Sequence, residues 1–457
     1  MFYSTSQKDD STASPPMFTN AQLKALLLPL LLEQFLSVSM GLADTVMVSG
    51  VGEAAVSSVS LVDSLNVLII QILSALATGG AVVASQYLGR KDEKNAQLSA
   101  AQLFSVLIML TVSFGLLCIL LCRLILRTVF GSIEAHVMHY AEIYFYISAV
   151  SYPFIGLYNA GAALFRAKGD SKISMKASLV MNVVNIVGNA VLIYVFHLEV
   201  LGAAIATLTG RILAAIWVTA QLQRHDNPLR IASLADLKPN LSIVHRILAI
   251  GIPAGIENGM FQIGKLLVSH LISTLGTASI AASAVCNTLS SMINIPGNAI
   301  SLATIPIIGH CLGANEKKQA NQYARKLIAL AYAAAWLTSP ILILTAPYIV
   351  KIFNISAEAQ VIAVTVIRIY CTVDLFLWPS SFMMPNILRS GGDSKYTMTV
   401  SMFSMWTFRI FLCYYFVNSL HMGLLGVWCG MFVDWFFRSL LFTIRFINGK
   451  WMEHQVI

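Results

Sequence analysis

The sequence predicts an all-α polytopic membrane protein: twelve transmembrane helices in two pseudo-symmetric six-helix bundles. Three observations carry that expectation. Of 457 residues, 57% are hydrophobic and only 11% charged, and the mean hydropathy is +0.75; a soluble domain has roughly 25% charged residues. Twelve apolar stretches each approach the roughly 20 residues that cross a bilayer. The second half of the chain also repeats the first. Soluble globular, disordered, collagen-like and disulfide-scaffold proteins are excluded by composition alone.

The chain opens on a polar stretch, residues 1–20, containing Pro15 and Pro16. It lacks a basic n-region and a cleavage site, so it reads as a disordered cytosolic tail and not as a signal peptide. Spans follow at approximately 21–47, 57–84, 97–122, 137–164, 174–196, 201–221, 244–273, 280–309, 326–349, 358–386, 397–417 and 423–444. Gly50, Gly52, Gly131, Gly169-Asp170, Gly276, Gly313 and Gly391-Gly392 break the apolar runs between them. The longest connection, 223–243, carries Pro228 and Pro239. It reads as a cytosolic linker between an N-terminal lobe, 21–222, and a C-terminal lobe, 244–447. Residues 448–457 read as a second cytosolic tail.

Lys and Arg number 29 against 21 Asp and Glu, a net charge of +8. With a cytosolic N-terminus, 21 of the 29 fall on the cytosolic side, Arg123, Arg127 and Lys351 fall opposite, and the rest lie inside spans. This asymmetry is the positive-inside pattern. The basic excess is therefore topological. No nucleic acid is expected as a partner, and the expectation is a multi-pass monomer of the cell membrane with both termini cytosolic. Seven cysteines lie mostly in apolar runs. Cys118 and Cys122 share a helix face, but no His or second Cys pair completes a metal site, and they read as packing residues. No cofactor is expected.

The duplication has an offset of 224: Pro29 and Glu33 match Pro253 and Glu257, Gly52 matches Gly276, Leu88-Gly89 match Leu312-Gly313, and Gly202 matches Gly426. At an offset of 223, Arg166 and Gly169-Asp170-Ser171-Lys172 match Arg389 and Gly392-Asp393-Ser394-Lys395. Six spans separate the copies, so the halves are parallel repeats about the membrane normal. Transporters commonly build a central site between such repeats. The Gly-Asp-Ser-Lys copies read as tight cytosolic turns with an Asp N-cap, since a hydrolase would need a His partner for Ser171.

Charges inside a bilayer cost at least about 2.5–3.5 kcal/mol each and mark functional sites by default. Asp63, Glu142, Arg211 and Arg438 are read as anchoring or pairing residues near span ends. Asp44 follows Glu33 by eleven residues, which at about 100° each puts both on one side of the first span. Asn182, Asn185 and Asn189 form one polar stripe on the fifth span. They read either as helix–helix glue or as a partner surface for Asp44. Burial favours the neutral form of a carboxylic acid. Loaded and empty carboxylates make different hydrogen bonds, so the two states favour different helix packings. One charge crossing 100 mV supplies about 2.3 kcal/mol.

The second lobe departs from this pattern. Val268 stands where the first lobe has Asp44, and Met405, Phe408 and Leu412 replace the Asn stripe. Glu257, Lys265 and Asp374 are its ionisable candidates; Lys265, eight residues after Glu257, reads either as pairing with it through neighbours or as facing Asp374 on the tenth span. Met260, Met292, Met383, Met384, Met398, Met402, Met405, Trp378 and Trp406 suggest either core packing or a soft, aromatic lining. If they line a cavity, Glu257 and Asp374 would attract cations and the aromatic faces would add cation–π attraction.

Several segments resemble the multidrug and toxic compound extrusion (MATE) family over nearly the whole chain. They are Pro29-Leu-Leu-Leu-Glu33, Gly-Leu-Ala-Asp44-Thr-Val-Met-Val, Gly79-Gly80, Ser85-Gln-Tyr-Leu-Gly89, Phe165-Arg-Ala-Lys-Gly-Asp170-Ser, Asn185-Ile-Val-Gly-Asn189, Gly202-Ala-Ala-Ile-Ala-Thr207 and Gly251-Ile-Pro253. The resemblance implies two six-helix bundles around a central cleft and antiport of organic cations against H⁺ or Na⁺. It implies that Asp44 couples the ion, with Asn185, Asn189 and Thr207 as its polar cluster and Asn182 beside them. Some members carry Asp at the position of Asn189; Asn there removes one carboxylate from any Na⁺ site. The family's acid in the seventh span falls at Phe261, with Glu257 a turn earlier, and that of the tenth span near Trp378, with Asp374 a turn earlier. Glu33, Glu257, Asp374, Met260, Trp378 and Met402 are the expected substrate contacts.

A flippase for lipid-linked oligosaccharide, from the same superfamily, is the alternative. It would favour a strongly cationic cavity, whereas the candidate lining is expected to hold more acids than bases. An intramembrane transferase would need paired metal-binding Asp motifs, and a nucleotide-driven pump a Gly-x-x-x-x-Gly-Lys-Ser/Thr loop. Neither occurs.

Overall fold

The structure is a computed structural model that describes residues 15–131, 134–454 and 456–457. Most of the expected N-terminal tail, 1–14, lies outside the described residues. Among the described residues the helices fall into twelve span-length elements, ten of which contain a helix long and apolar enough to cross a membrane: α1 (Asn20–Ser49), α2 (Glu53–Gly89), α3 (Glu93–Leu120), α4 (Ala135–Lys168), α5 (Ser171–Val195) and α6 (Glu199–Leu222) form the first lobe. The second holds α7 (Leu241–Ser273), α8 in two pieces (Thr277–Ile293 and Ile295–Gly313), α9 (Lys317–Ile352), α10 (Ala357–Ser390), α11 (Ser394–Asn418) and α12 (Gly423–Ile447). No strand occurs among the described residues.

Local chemistry sets the ends. Thr19 caps α1 in a capping box with Gln22, and the Asp92 carboxylate accepts the Asn95 amide at the start of α3. That half-buried Asp92 sits below the usual carboxylate range because the Asn95 side chain and backbone both donate to it. The two Gly-Asp-Ser-Lys copies are turns, with Gly169 at φ 90° and Gly392 at φ 91°. Asp170 and Asp393 stand at the N-cap positions but neither side chain makes a capping bond, contrary to expectation. Asp393 instead holds Arg445 at 2.6 Å and His454 at 3.2 Å.

Residues 15–20 are docked, and not a free tail. The Met17 N–H donates to Gln319 Oε1 and the Phe18 N–H to the Tyr323 hydroxyl, each at 3.0 Å. The 223–243 connection is likewise fastened: Gln102 Nε2 donates to the Asp236 and Lys238 carbonyls at 2.6 and 2.8 Å. At the other end of the chain, Trp451 is fully buried against Gly391.

The apolar packing exchanges helices between the lobes. Leu23, Leu26 and Leu30, early in α1, belong to a core built with Ile307, Ile308, Tyr323 and Phe442 of the second lobe. Ile243, Ile247 and Ile250, early in α7, belong to the core of the first lobe. The crossing ends near Pro29 and Pro253, which lie inside their helices and remove one backbone hydrogen bond each. Beyond them, Val48 of α1 and Leu271 of α7 pack in the lobe of their own half.

Candidate functional site

Between the lobes lies a cavity of about 780 Å³. At the end bearing the basic loops it is sealed by close backbone approach. A Cβ on Gly89 would lie 2.1 Å from the His310 carbonyl, and one on Gly313 would lie 1.9 Å from the Gln86 carbonyl. Gln86 Nε2 and His310 Nε2 each reach a carbonyl of the opposite lobe, Ser390 and Ala167, at 2.8 Å. These two bonds are related by the repeat. The lining continues toward the opposite end at Met40, Val67 and Lys265.

The floor holds two ion pairs, also related by the repeat. Glu33 accepts from Arg166 at 2.8 Å and from Ser174 at 2.7 Å. Glu257 accepts from Arg389 at 2.5 Å and Ser401 at 2.7 Å, with Arg438 at 3.7 Å. Each joins the helix just past its proline to the α4/α5 or α10/α11 turn region. The sequence held the signal: each half carries both an intramembrane acid and a basic residue 133 or 132 positions on.

Of the expected substrate contacts, Glu33, Glu257, Met260 and Met402 line the cavity, and so does Asn182. Asp374 and Trp378 do not. Asp374 is sealed under α9, accepting from Ser339 at 2.8 Å, and Trp378 stacks on Phe382 with ring centres 5.6 Å apart. Lys265 lines the cavity without an ion pair to Asp374. The lining carries Arg166, Arg211, Lys265, Arg389 and Arg438 against Glu33 and Glu257. The expected excess of acids is therefore reversed. Arg211 and Arg438, read from sequence as anchoring or pairing residues near span ends, are 7% and 4% exposed within the bundle; Arg438 does pair, with Glu257 at 3.7 Å, and neither reaches the interface as an anchor. Glu142 behaves as expected, pairing with Arg123 at 3.0 Å.

Asp44 stands apart from the cavity, inside the first lobe. Asn189 Nδ2 donates to Asp44 Oδ1 at 2.6 Å, and Asn185 Nδ2 donates to the Thr207 hydroxyl at 3.1 Å. Asn185 and Asn189 are 3.4 Å apart, side chain to side chain. Asn182 turns back to the Ser178 carbonyl at 2.8 Å, so it does not join that chain. A second polar group lies beside it. Asn66 donates to Asp63 and Ser148, each at 3.2 Å, Tyr152 donates to Asn66 at 2.9 Å, and Arg211 donates to Ser151 at 2.5 Å. Asp63 and Arg211 lie near enough to act electrostatically on Asp44. Asp63, read from sequence as an anchoring or pairing residue near a span end, belongs to this polar group through its link to Asn66, three positions on. The buried Asn189 Oδ1 has no hydrogen-bond partner among the described residues, so an unused acceptor lies beside Asp44.

The equivalent region of the second lobe is aromatic. Tyr370, Trp428, Phe432 and Trp435 pack together there, and Arg409 lies 4.0 Å from Asp434. No group of three or more His, Cys, Asp or Glu among the described residues could hold a metal ion.

A family model described as MatE matches residues 29–191 and again 253–415. The chain is 26% identical over 440 residues to an uncharacterized transporter, YisQ, of Bacillus subtilis, covering 94% of this chain and 95% of that one. It is 25% identical over 443 residues to a probable multidrug resistance protein, NorM, of Thermotoga maritima, covering 95% and 94%. Among solved structures, an outward-facing multidrug resistance MATE family transporter superposes with a TM-score of 0.87 at 21% identity, over 94% and 96% of the chains. A superfamily transporter from Pyrococcus furiosus, described as having a reverse polarity of binding pocket that suggests different function, superposes with a TM-score of 0.88 at 21% identity, over 95% and 96%. Two matched copies, the twelve spans and the inter-lobe cavity agree: the chain belongs to the MATE family of multidrug efflux transporters.

Proposed function

We propose that this transporter is a secondary antiporter that exports drug-sized amphiphiles by alternating access, in exchange for H⁺ or Na⁺ taken up at Asp44. The Asp44–Asn189 hydrogen bond carries the proposal, because it ties the far half of α1 to α5. An empty carboxylate accepts that bond strongly. A carboxylate that has gained a proton or a sodium ion accepts it less well, so α1 is released. The other half of α1 is packed on the second lobe, and loading is thereby transmitted to the lobe–lobe contact. The relatives named for multidrug resistance support export of drug-like cargo, and Met40, Met181, Met260, Met402 and Met405 give the cavity the adaptable wall such cargo needs. The basic loops support a cytosolic position for the sealed end and for both termini. Organic cations are the cargo implied by family resemblance, but the basic excess in the lining counts against them.

The test is dye transport by the reconstituted protein under separately imposed Na⁺ and pH gradients. One of the gradients drives transport by the wild type, and Asp44→Asn reduces that transport to background. Gradient-driven transport undiminished in Asp44→Asn refutes the assignment.

A further inference from the structure

The geometry points to an organic anion, an acidic head on an apolar body, as the cargo of the inter-lobe cavity. This rests on the reading of that cavity as the transport site. Five basic side chains line it against two acidic ones, and the acids are already satisfied. Glu33 takes Arg166 and Ser174, and Glu257 takes Arg389 and Ser401. Neither offers a free carboxylate to an incoming cation. Two of the aromatic faces that could receive one are also taken: the Arg438 guanidinium lies 4.9 Å from the Phe382 ring centre, and that of Arg409 lies 5.0 Å from Phe261.

Positive charge is left over. Lys265 lines the cavity and makes no hydrogen bond or ion pair with a described residue; the charge near it is another cation, Arg409. Arg438, 4% exposed, keeps a buried Nε–H without a partner among the described residues. Met260, Met402 and Met405 border the cavity on the same side. An unpaired ammonium, and a guanidinium that still has one free N–H, beside a methionine wall fit a carboxylate, sulfonate or phosphate carried on a hydrophobic body. A cation entering the same space would meet net repulsion in a poorly screened interior.

The test is binding to the full chain in nanodiscs, with no gradient imposed, of two xanthene dyes of opposite charge: carboxyfluorescein and rhodamine 6G. Fluorescence anisotropy, corrected with empty nanodiscs, reads affinity. Carboxyfluorescein should bind at least about tenfold more tightly than rhodamine 6G, Lys265→Gln should weaken it roughly tenfold, and Lys265→Glu should reverse the preference. Lys265 holds no hydrogen-bond or ion-pair partner among the described residues, so these variants break no bond of the fold. Equal or tighter binding of rhodamine 6G, no binding of carboxyfluorescein, or unchanged carboxyfluorescein affinity in Lys265→Gln overturns the proposal. Binding is read without a gradient, so a failure of coupling at Asp44 appears only in transport and leaves this comparison intact.

Discussion

At the scale of single residues, two kinds of intramembrane acid differ in their surroundings, the buried Glu33 and Glu257 and the half-buried Asp44. Glu33 and Glu257 are saturated by Arg and Ser, and so act as fasteners. Removing one partner of such a buried pair strands the other charge and costs about 3–5 kcal/mol, while removing both costs far less. Glu257→Gln should therefore lower the thermal unfolding midpoint more than the double variant Glu257→Gln/Arg389→Gln does. A double variant less stable than the single would show that the pair is not the relevant unit. Asp44 is held by one short bond from Asn189 and has an unused acceptor beside it. Asn189→Leu should leave the protein folded and monodisperse while cutting ion-driven transport at least about tenfold, since the carboxylate loses the donor that registers its charge. Wild-type transport by Asn189→Leu would detach the Asn stripe from coupling. The contact of Asp44 with the fifth-span stripe was legible in sequence as one of two readings, because a charge and amides in apolar helices seek each other; only Asn189 and Asn185 join that chain, while Asn182 turns back to its own helix. Asp374 misled for the same reason: its intramembrane position is real, but Ser339 seals it away from the cavity.

At the scale of elements, α1 and α7 are shared between lobes, and their prolines mark where each crosses back. Hydropathy could find these helices but not their crossing, because an apolar face shows no preference for one lobe over the other. The same limit hid the inter-lobe seal. Leu88-Gly89 and Leu312-Gly313 were visible as repeated residues, but nothing in sequence placed each glycine against the opposite lobe's carbonyl. The seal must open in an alternating cycle, and any side chain there should prop it open. Gly313→Val, whose Cβ would meet the Gln86 carbonyl at 1.9 Å, should raise the labelling rate of a cysteine introduced at Ser390 by a membrane-impermeant reagent from the basic side. Cysteine labelling no faster than in the parent would show that the glycine contact is not the gate. Substituting Gln86 by Leu removes one of the two cross-lobe hydrogen bonds and should have the same effect, more weakly.

For the whole molecule, duplication and charge asymmetry gave the architecture from sequence, and the two lobes diverge where function concentrates. The first lobe kept polar groups in its interior; the second filled the matching space with Tyr370, Trp428 and Trp435. That asymmetry supports the proposed ion coupling in the first lobe, while both lobes line the cavity. The cavity's sign of charge was not legible, because it depends on which Arg residues turn inward, and Arg211 and Arg438 sit where either direction satisfies the hydropathy pattern. Charge state at Asp44 should therefore set the separation of the lobes at their basic end. Spin labels on Lys94→Cys and Lys318→Cys, two exposed sites related by the repeat, report that separation through electron–electron dipolar distances. Lowering pH or adding Na⁺ should shift the distance distribution in the wild type and leave it fixed in Asp44→Asn; an identical shift in both proteins would contradict the account.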